Sequence, residues 1–120
     1  MDTRAKGKRG EDLAVSEITA NGGRILDRNF YFKGGEIDLV VRDHWLGEDY
    51  LCFVEVKMRE NTDAGYPEEA VTLSKQKKII KGATAYMNYR KILINTTPIR
   101  FDVVAVLGDE VKWIKNAFTA

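Results

Sequence analysis

The stretch "GGEIDLVVRD", residues 34–43, has the composition of a core β-strand but carries two acids near its start. Successive side chains of a strand point to opposite faces. One predicted face holds β-formers suited to a core, Ile37, Leu39 and Val41. The other predicted face holds Glu36, Asp38 and Val40. A small domain gains nothing for its core from buried acids, so these positions point to chemistry.

A second stretch, "LCFVEVKMR" at residues 51–59, repeats the pattern, with Glu55 and Lys57 on one face of an otherwise apolar strand. If the two strands are neighbours in a hairpin, Asp38 and Glu55 project from the same side. Two facing carboxylates repel each other unless a proton or a cation lies between them. Hard oxygen ligands are those that Mg²⁺ or Mn²⁺ prefers. The pair therefore predicts a divalent metal site.

The segment before these strands predicts a helix that brings a further acid to the sheet. Glu11, Ala14, Val15 and Ile18 fall at i, i+3, i+4 and i+7, which is one helical face. Packing of that face on the sheet would bring Glu11 to the same cluster. Lys57 lies one step beyond Glu55 and could stabilise negative charge on a phosphate and help to position water. Such a set favours metal-assisted phosphodiester hydrolysis. The simpler alternative is a solvated ion pair of Glu55 with Lys57.

The order of the predicted elements is αβββαββ, which indicates one α/β domain, residues 1–120, with a mixed sheet and helices packed on it. The helices are predicted over residues 8–21 and 67–89, the second of them beginning at Pro67. Strands are predicted over residues 24–32, 34–43, 50–58, 98–108 and 110–118.

Composition excludes several classes of function. The chain has a net charge of +1, one cysteine and one histidine, too few Cys and His for a zinc site of the usual kind. Cys52 has no partner for an intrachain disulfide, sits in an apolar strand and fits a reducing compartment. No run approaches the roughly 20 apolar residues of a membrane span. We expect a cytoplasmic protein with no membrane partner.

Five motifs, which follow one another from Lys6 to about Leu107, resemble the YraN-like family of small bacterial proteins. They are "GKRGEDLA", "GEIDLVV", "FVEVKMR", "GYPEEAV" and "RFDVVAV". "GEID" followed by "EVK" also resembles the signature of the PD-(D/E)XK nuclease superfamily, with Ile37 in place of the signature proline. The resemblance implies a restriction-endonuclease-like three-layer core and a similarity to archaeal Holliday junction resolvases.

The resemblance also implies roles for individual residues. Asp38 matches the metal-binding Asp, Glu55 the second acid and Lys57 the catalytic lysine of the superfamily. Glu11 matches a helix-borne Glu of resolvase-like members, and the carbonyl of Val56 would join the metal. The cofactor implied is Mg²⁺ or Mn²⁺.

Basic residues near these motifs are candidates for contacts with nucleic acid phosphates. They are Lys6, Lys8, Arg9, Arg59 and Lys75. No element is suited to reading bases, so we expect DNA to be recognised by shape. The resemblance to resolvases implies branched DNA and a homodimer. Two alternatives remain: a nucleic-acid-binding module that keeps the nuclease-like fold without cutting, and a scaffold whose acids are incidental.

Overall fold

The computed structural model describes residues 3–120, with side chains from Gly7 onward, and has the predicted order of elements. The first half contains α1 (Thr3–Ala20), β1 (Arg24–Phe32), β2 (Gly35–Trp45) and β3 (Glu48–Arg59). The second half contains a short 3-10 helix (Pro67–Ala70), α2 (Leu73–Tyr89), β4 (Ile99–Leu107) and β5 (Glu110–Phe118).

The five strands form one mixed sheet in the order β1-β2-β3-β4-β5. All neighbouring pairs are antiparallel except β3 and β4, which are parallel. A parallel pair needs a long crossover connection, and here residues 60–98, which contain α2, supply it. The predicted α/β class with a mixed sheet is therefore confirmed.

The helices cover opposite faces of the sheet and make three layers. Ala14 and Ile18 of α1 are fully buried in one apolar cluster, as the helical spacing predicts. Ile79 and Met87 of α2 are buried in the other cluster. No helix in the described part of the chain is both long and apolar enough to cross a membrane.

The alternation of β2 breaks at Asp38. Ile37 and Val40 both belong to the cluster beneath α2, whereas Leu39 belongs to the cluster beneath α1. The prediction that Glu36, Asp38 and Val40 share one face is therefore wrong, because the backbone changes sides at Asp38.

Both edge strands carry an asparagine with left-handed backbone. The pairs that flank Asn29 place it opposite Asp38, and its φ is 55°. Asn116 of β5 has φ 54° and lies where the register of β5 against β4 shifts. Asparagine tolerates this conformation better than most residues. At Asn29 the irregularity coincides with the break in β2.

Two helix boundaries differ from the sequence prediction. The continuous helix over 67–89 is wrong, because the 3-10 turn that begins at Pro67 ends before Val71 and α2 begins separately. The hydroxyl of Thr72 accepts a hydrogen bond of 3.3 Å from the backbone N–H of Lys75 and caps α2. Lys75 therefore lies in the first turn of α2. The first helix begins at Thr3, earlier than the predicted residue 8.

A buried ionic network joins β2, β4 and β5 at the end of the sheet remote from Asp38. Arg100, only 1% exposed, donates to Asp102 at 2.7 and 2.8 Å and to Asp43 at 2.9 Å. Trp113 donates to Asp102 at 2.9 Å, and Lys115 Nζ lies 3.0 Å from Asp43.

Candidate active site

The centre of the candidate site lies where β2 and β3 separate. Their ladder runs as far as Leu39 opposite Val54, and continuation of that register would set Asp38 opposite Glu55. Instead, the side chain of Asp38 fills the gap, and its Oδ2 accepts a 2.8 Å hydrogen bond from the backbone N–H of Val56. The break in β2 thus directs this carboxylate toward β3 and fixes it there.

Burial and repulsion raise the pKa of Asp38. Burial is the larger cause, the negative charge of Glu55 is the next, and together they bring the pKa to about 8. The hydrogen bond from Val56 opposes this rise, and the negative charge of Glu36 adds to it. The folded protein therefore holds a carboxylate that is stabilised by a proton or a cation.

Glu55 is the most buried carboxylate of the site, with 4% of its surface exposed. Burial raises its pKa, although Lys75 and Lys57 act in the opposite direction. The Nζ atoms of Lys57 and Lys75 lie 3.7 and 3.6 Å from the same oxygen, Oε1 of Glu55. This carboxylate thus receives two lysines, one from β3 and one from α2.

A second group of acids meets Asp38 from the side of α1. Asn29 donates to Glu11 at 3.0 Å and to Glu36 at 2.9 Å. One oxygen each of Glu11, Glu36 and Asp38 lies within 4.8 Å of the others. Small side-chain rotations would let oxygens at this spacing meet at one divalent ion.

The structure thus assembles a three-acid group that differs from the predicted ligand set, because it contains Glu36 and lacks Glu55. Glu36, absent from the predicted ligands, stands beside Glu11 and Asp38, while Glu55 is the acid of β3 whose charge acts on Asp38. Glu36 lies two residues before Asp38, and this spacing could have identified it as a candidate ligand from the sequence. No sequence signal identifies Asn29, because its hydrogen bonds to Glu11 and Glu36 depend on its left-handed backbone.

These side chains surround one cavity of about 380 Å³ between α1 and β3. The cavity is lined by Gly7, Gly10, Glu11, Asp38, Glu55, Val56, Lys57 and Met58. At Gly10 a methyl group would lie 3.5 Å from the side chain of Met58, so α1 runs close to β3 here. All five residues predicted to hold metal or act on water reach this one cavity.

Comparison with known proteins places the chain in a family. The profile of the "Uncharacterised protein family UPF0102" matches residues 10–106. The chain belongs to the UPF0102 family. The expected membership of the YraN-like family is thereby confirmed, and the matched segment contains the whole carboxylate cluster.

Individual UPF0102 proteins are similar over nearly the full length of the chain. One from Lachnoclostridium phytofermentans is 42% identical over 120 residues, which cover 100% of this chain and 98% of that protein. One from Clostridioides difficile is 43% identical over 120 residues, with 98% of this chain and 100% of that protein covered. A UPF0102 protein from Persephonella marina is 41% identical over 113 residues, which cover 94% and 92% of the two chains.

The residues predicted to contact phosphate are dispersed in this UPF0102 member. Lys75 lies at the site, next to Glu55. Arg9 instead binds Asp109 at 2.6 Å, and with Lys8 it borders a separate depression on α1. Arg59 lies at the end of β3, partly buried. The side chain of Lys6 lies outside the described residues.

Proposed function

We propose that this protein is an endonuclease that uses Mg²⁺ or Mn²⁺ to hydrolyse phosphodiester bonds of DNA. The observation that carries the proposal is geometric: Glu11, Asp38, Glu55 and Lys57 line one cavity, and Glu36 lies with Glu11 and Asp38 in a carboxylate cluster. The raised pKa of Asp38 is consistent with a site for a cation. The resemblance to the PD-(D/E)XK superfamily supports a nuclease. Its similarity to archaeal Holliday junction resolvases favours branched DNA, which two sites in a homodimer would serve.

The donor set fits a hard divalent cation. Asp38 would be the central ligand, with Glu11 and Glu36 on one side and Glu55 and the carbonyl of Val56 on the other. All are oxygen donors, the ligand type that a hard divalent cation prefers. Lys57 and Lys75 pair with Glu55, and Arg28 lies 3.6 Å from Glu11. When bound, the metal would supply a water of lowered pKa and stabilise charge on the phosphate.

The protein's own side chains would orient the reactants. The backbone N–H of Val56 holds Asp38 in one position, so this ligand needs little rearrangement. Lys57, at the same cavity, would stabilise the negative charge that develops on the phosphate and help to orient the attacking water. Lys75, from α2, keeps Glu55 in place through its ion pair.

Cleavage of a panel of labelled DNAs tests the proposal. Linear duplex, single strand, flap and four-way junction would be incubated with Mg²⁺ or Mn²⁺ and with Asp38→Asn or Lys57→Ala. We expect at least about 100-fold slower cleavage by either variant, since Asp38→Asn removes a charged metal ligand and Lys57→Ala removes the cation that stabilises charge on the phosphate. Asp49→Asn is the matched control, because Asp49 is exposed and does not line the cavity.

Circular dichroism would confirm that each variant is folded. Full activity of Asp38→Asn with Mg²⁺ would contradict the assignment. The preferred DNA would define the substrate class, and sedimentation of the active species would show whether it is a dimer.

The alternative of a non-catalytic nucleic-acid-binding module has one observation in its favour. Lys57 and Lys75 both pair with Glu55, so lysines can neutralise this acid without a metal. DNA binding by the wild-type protein without cleavage of any member of the panel would favour this alternative.

A further inference from the structure

We propose that a second opening, next to the candidate active site, binds a single-stranded segment of nucleic acid by stacking a base on Tyr31 and holding phosphates with Lys75 and Lys78. The inference rests on the proposed function in that the bound strand would lead to the cleavage site. It concerns binding, so it is testable without any cleavage.

The opening lies between the tip of the β1–β2 hairpin and the first turns of α2, and its volume is about 510 Å³. Gly34, with φ 109°, makes the tight turn of the hairpin, and Gly35 follows it. Neither residue has a side chain to obstruct the floor. Tyr31 borders the opening from the hairpin, and Lys75 and Lys78 border it from α2.

Two contacts connect this opening to the carboxylate cluster. Glu36 lines the opening, and its carboxylate oxygen lies within 4.8 Å of the ligand oxygen of Asp38. Lys75 also lines it, and its Nζ lies 3.6 Å from Glu55. A strand with one phosphate at the carboxylate cluster would therefore have its next nucleotides in the opening.

The chemistry of the lining is that of a single-strand binding site. Tyr31 is 71% exposed, although an aromatic ring gains free energy from being covered. Lys75 and Lys78 are three residues apart on α2, so they lie on the same side of the helix. Aromatic rings that stack on bases beside lysines that bind the backbone are how single strands are bound without sequence preference.

The exposed ring favours a single strand over a duplex. A base in a duplex is already covered on both faces by its neighbours, whereas an unpaired base can place a face on Tyr31. Glu36 lies directly across the hairpin from Tyr31 in the register. This acid borders the same opening and disfavours a phosphate next to the ring, so the phosphates would lie toward α2.

Fluorescence anisotropy with a labelled oligothymidine of about 12 nucleotides, in EDTA to prevent metal-dependent cleavage, measures the binding directly. We expect Tyr31→Ala to weaken binding by about 5- to 100-fold, the loss typical of one stacked base, and Tyr31→Phe to stay within about 2-fold of wild type. Lys78→Ala should weaken binding. It should also make the dependence of log affinity on log salt concentration shallower by about one unit, as expected for the loss of one phosphate contact.

The matched controls are residues of the same type elsewhere on the surface. Tyr89→Ala removes a tyrosine that is 68% exposed but lies outside the opening. Lys112→Ala removes an exposed lysine of β5. Both controls should bind the oligothymidine as wild type does, and Tyr31→Ala should leave binding of a matched duplex unchanged.

Each possible outcome decides the inference. No binding of the single strand by wild type, equal binding by Tyr31→Ala, or an equal loss in Tyr31→Phe would overturn it. Cleavage assays report separately on the proposed function. If binding depends on Tyr31 but the protein cuts no DNA, the proposed nuclease activity is wrong and this inference stands. If the protein cuts DNA but Tyr31→Ala binds the single strand as wild type does, this inference is wrong and the proposed function stands.

Discussion

Asp38 combines two demands that conflict in the metal-free protein. Its carboxylate accepts a hydrogen bond from Val56 and so closes the gap between β2 and β3. The same position is partly buried and close to Glu55, which makes the charged form unfavourable and raises the pKa to about 8. Ionisation of Asp38 in the metal-free protein is therefore expected to cost stability.

We predict that the stability of the metal-free protein falls as the pH rises from about 4 to above 8. The pKa of Asp38 is about 8 in the folded state and 3.8 ordinarily, so the folded state binds more protons over this interval. The stabilisation is complete below the ordinary pKa and is lost as the pH rises through the folded pKa. Thermal unfolding in EDTA at several pH values measures it.

Asp38→Asn serves as the comparison, because asparagine can still accept the hydrogen bond but carries no charge. At about pH 9 it should be more stable than wild type by about 2 kcal/mol, or several degrees in Tm, and the difference should shrink at pH 5. An equal difference at both pH values would show that ionisation of Asp38 is not its cause.

Strand alternation selects Glu55 and Lys57 as one face of β3. Acids inside an apolar stretch draw attention to Asp38 and Glu36, but Asp38 reaches the cavity through the break in β2 and not through regular alternation. The predicted ligand set omits Glu36. Asn29 is not recoverable, because nothing in a hydrophobic pattern reports that one residue adopts left-handed backbone. The raised pKa of Asp38 likewise depends on burial that only the assembled layers produce.

At the scale of elements, the packing of α2 on the hairpin depends on Gly82. A methyl group at this position would lie 2.5 Å from a ring carbon of Phe32 and 2.9 Å from the side chain of Ile37. Glycine in a helix interior is normally unfavourable. Here it lets α2 approach β1 and β2, and β2 carries Asp38 and Glu36.

We predict that Gly82→Ala lowers the free energy of unfolding by about 1–3 kcal/mol, because overpacking outweighs the better helix propensity of alanine. Gly7→Ala in α1 is the matched control, since a methyl group there would have no neighbour within 4 Å. It should be neutral or more stable by up to about 1 kcal/mol. Urea unfolding compares the two; greater stability of Gly82→Ala would show that the side chains of Phe32 and Ile37 move aside easily.

The elements themselves are largely predictable, and one error is instructive. Alternating apolar residues between glycine-containing turns indicate the strands. The prediction for the second helix depends on Pro67, a good first helical residue, although Thr72 is an equally good cap five residues later. With two possible helix starts close together, the sequence does not determine which one begins the long helix. In the structure the turn that begins at Pro67 ends at Ala70, and α2 begins after Thr72.

At the scale of the molecule, two clusters of charged side chains lie at different ends of the sheet. The carboxylate cluster is the first of them. In the second, Arg100 and Lys115 face Asp43 and Asp102, and every one of these groups has a partner. The paired ionic network and the candidate active site therefore lie at different ends of the same sheet.

We predict that Arg100→Met costs about 3–5 kcal/mol of stability, because it leaves Asp102 buried with its ion-pair partner removed. Arg90→Met, which removes a solvent-exposed pair with Asp27, should destabilise the protein much less than Arg100→Met does. Denaturant unfolding measures both. DNA cleavage per folded molecule should be unchanged in Arg100→Met, and a specific loss would show that the two ends are coupled.

The left-handed asparagines of β1 and β5 have a consequence for how copies of the protein meet. An edge strand with a regular backbone offers unpaired N–H and C=O groups to another chain, and irregularities are one way in which proteins prevent such pairing. Asn29 and Asn116 interrupt the two outer strands of this sheet. We expect crowded molecules to resist edge-to-edge aggregation, and any homodimer to form through helices or loops and not by extension of the sheet.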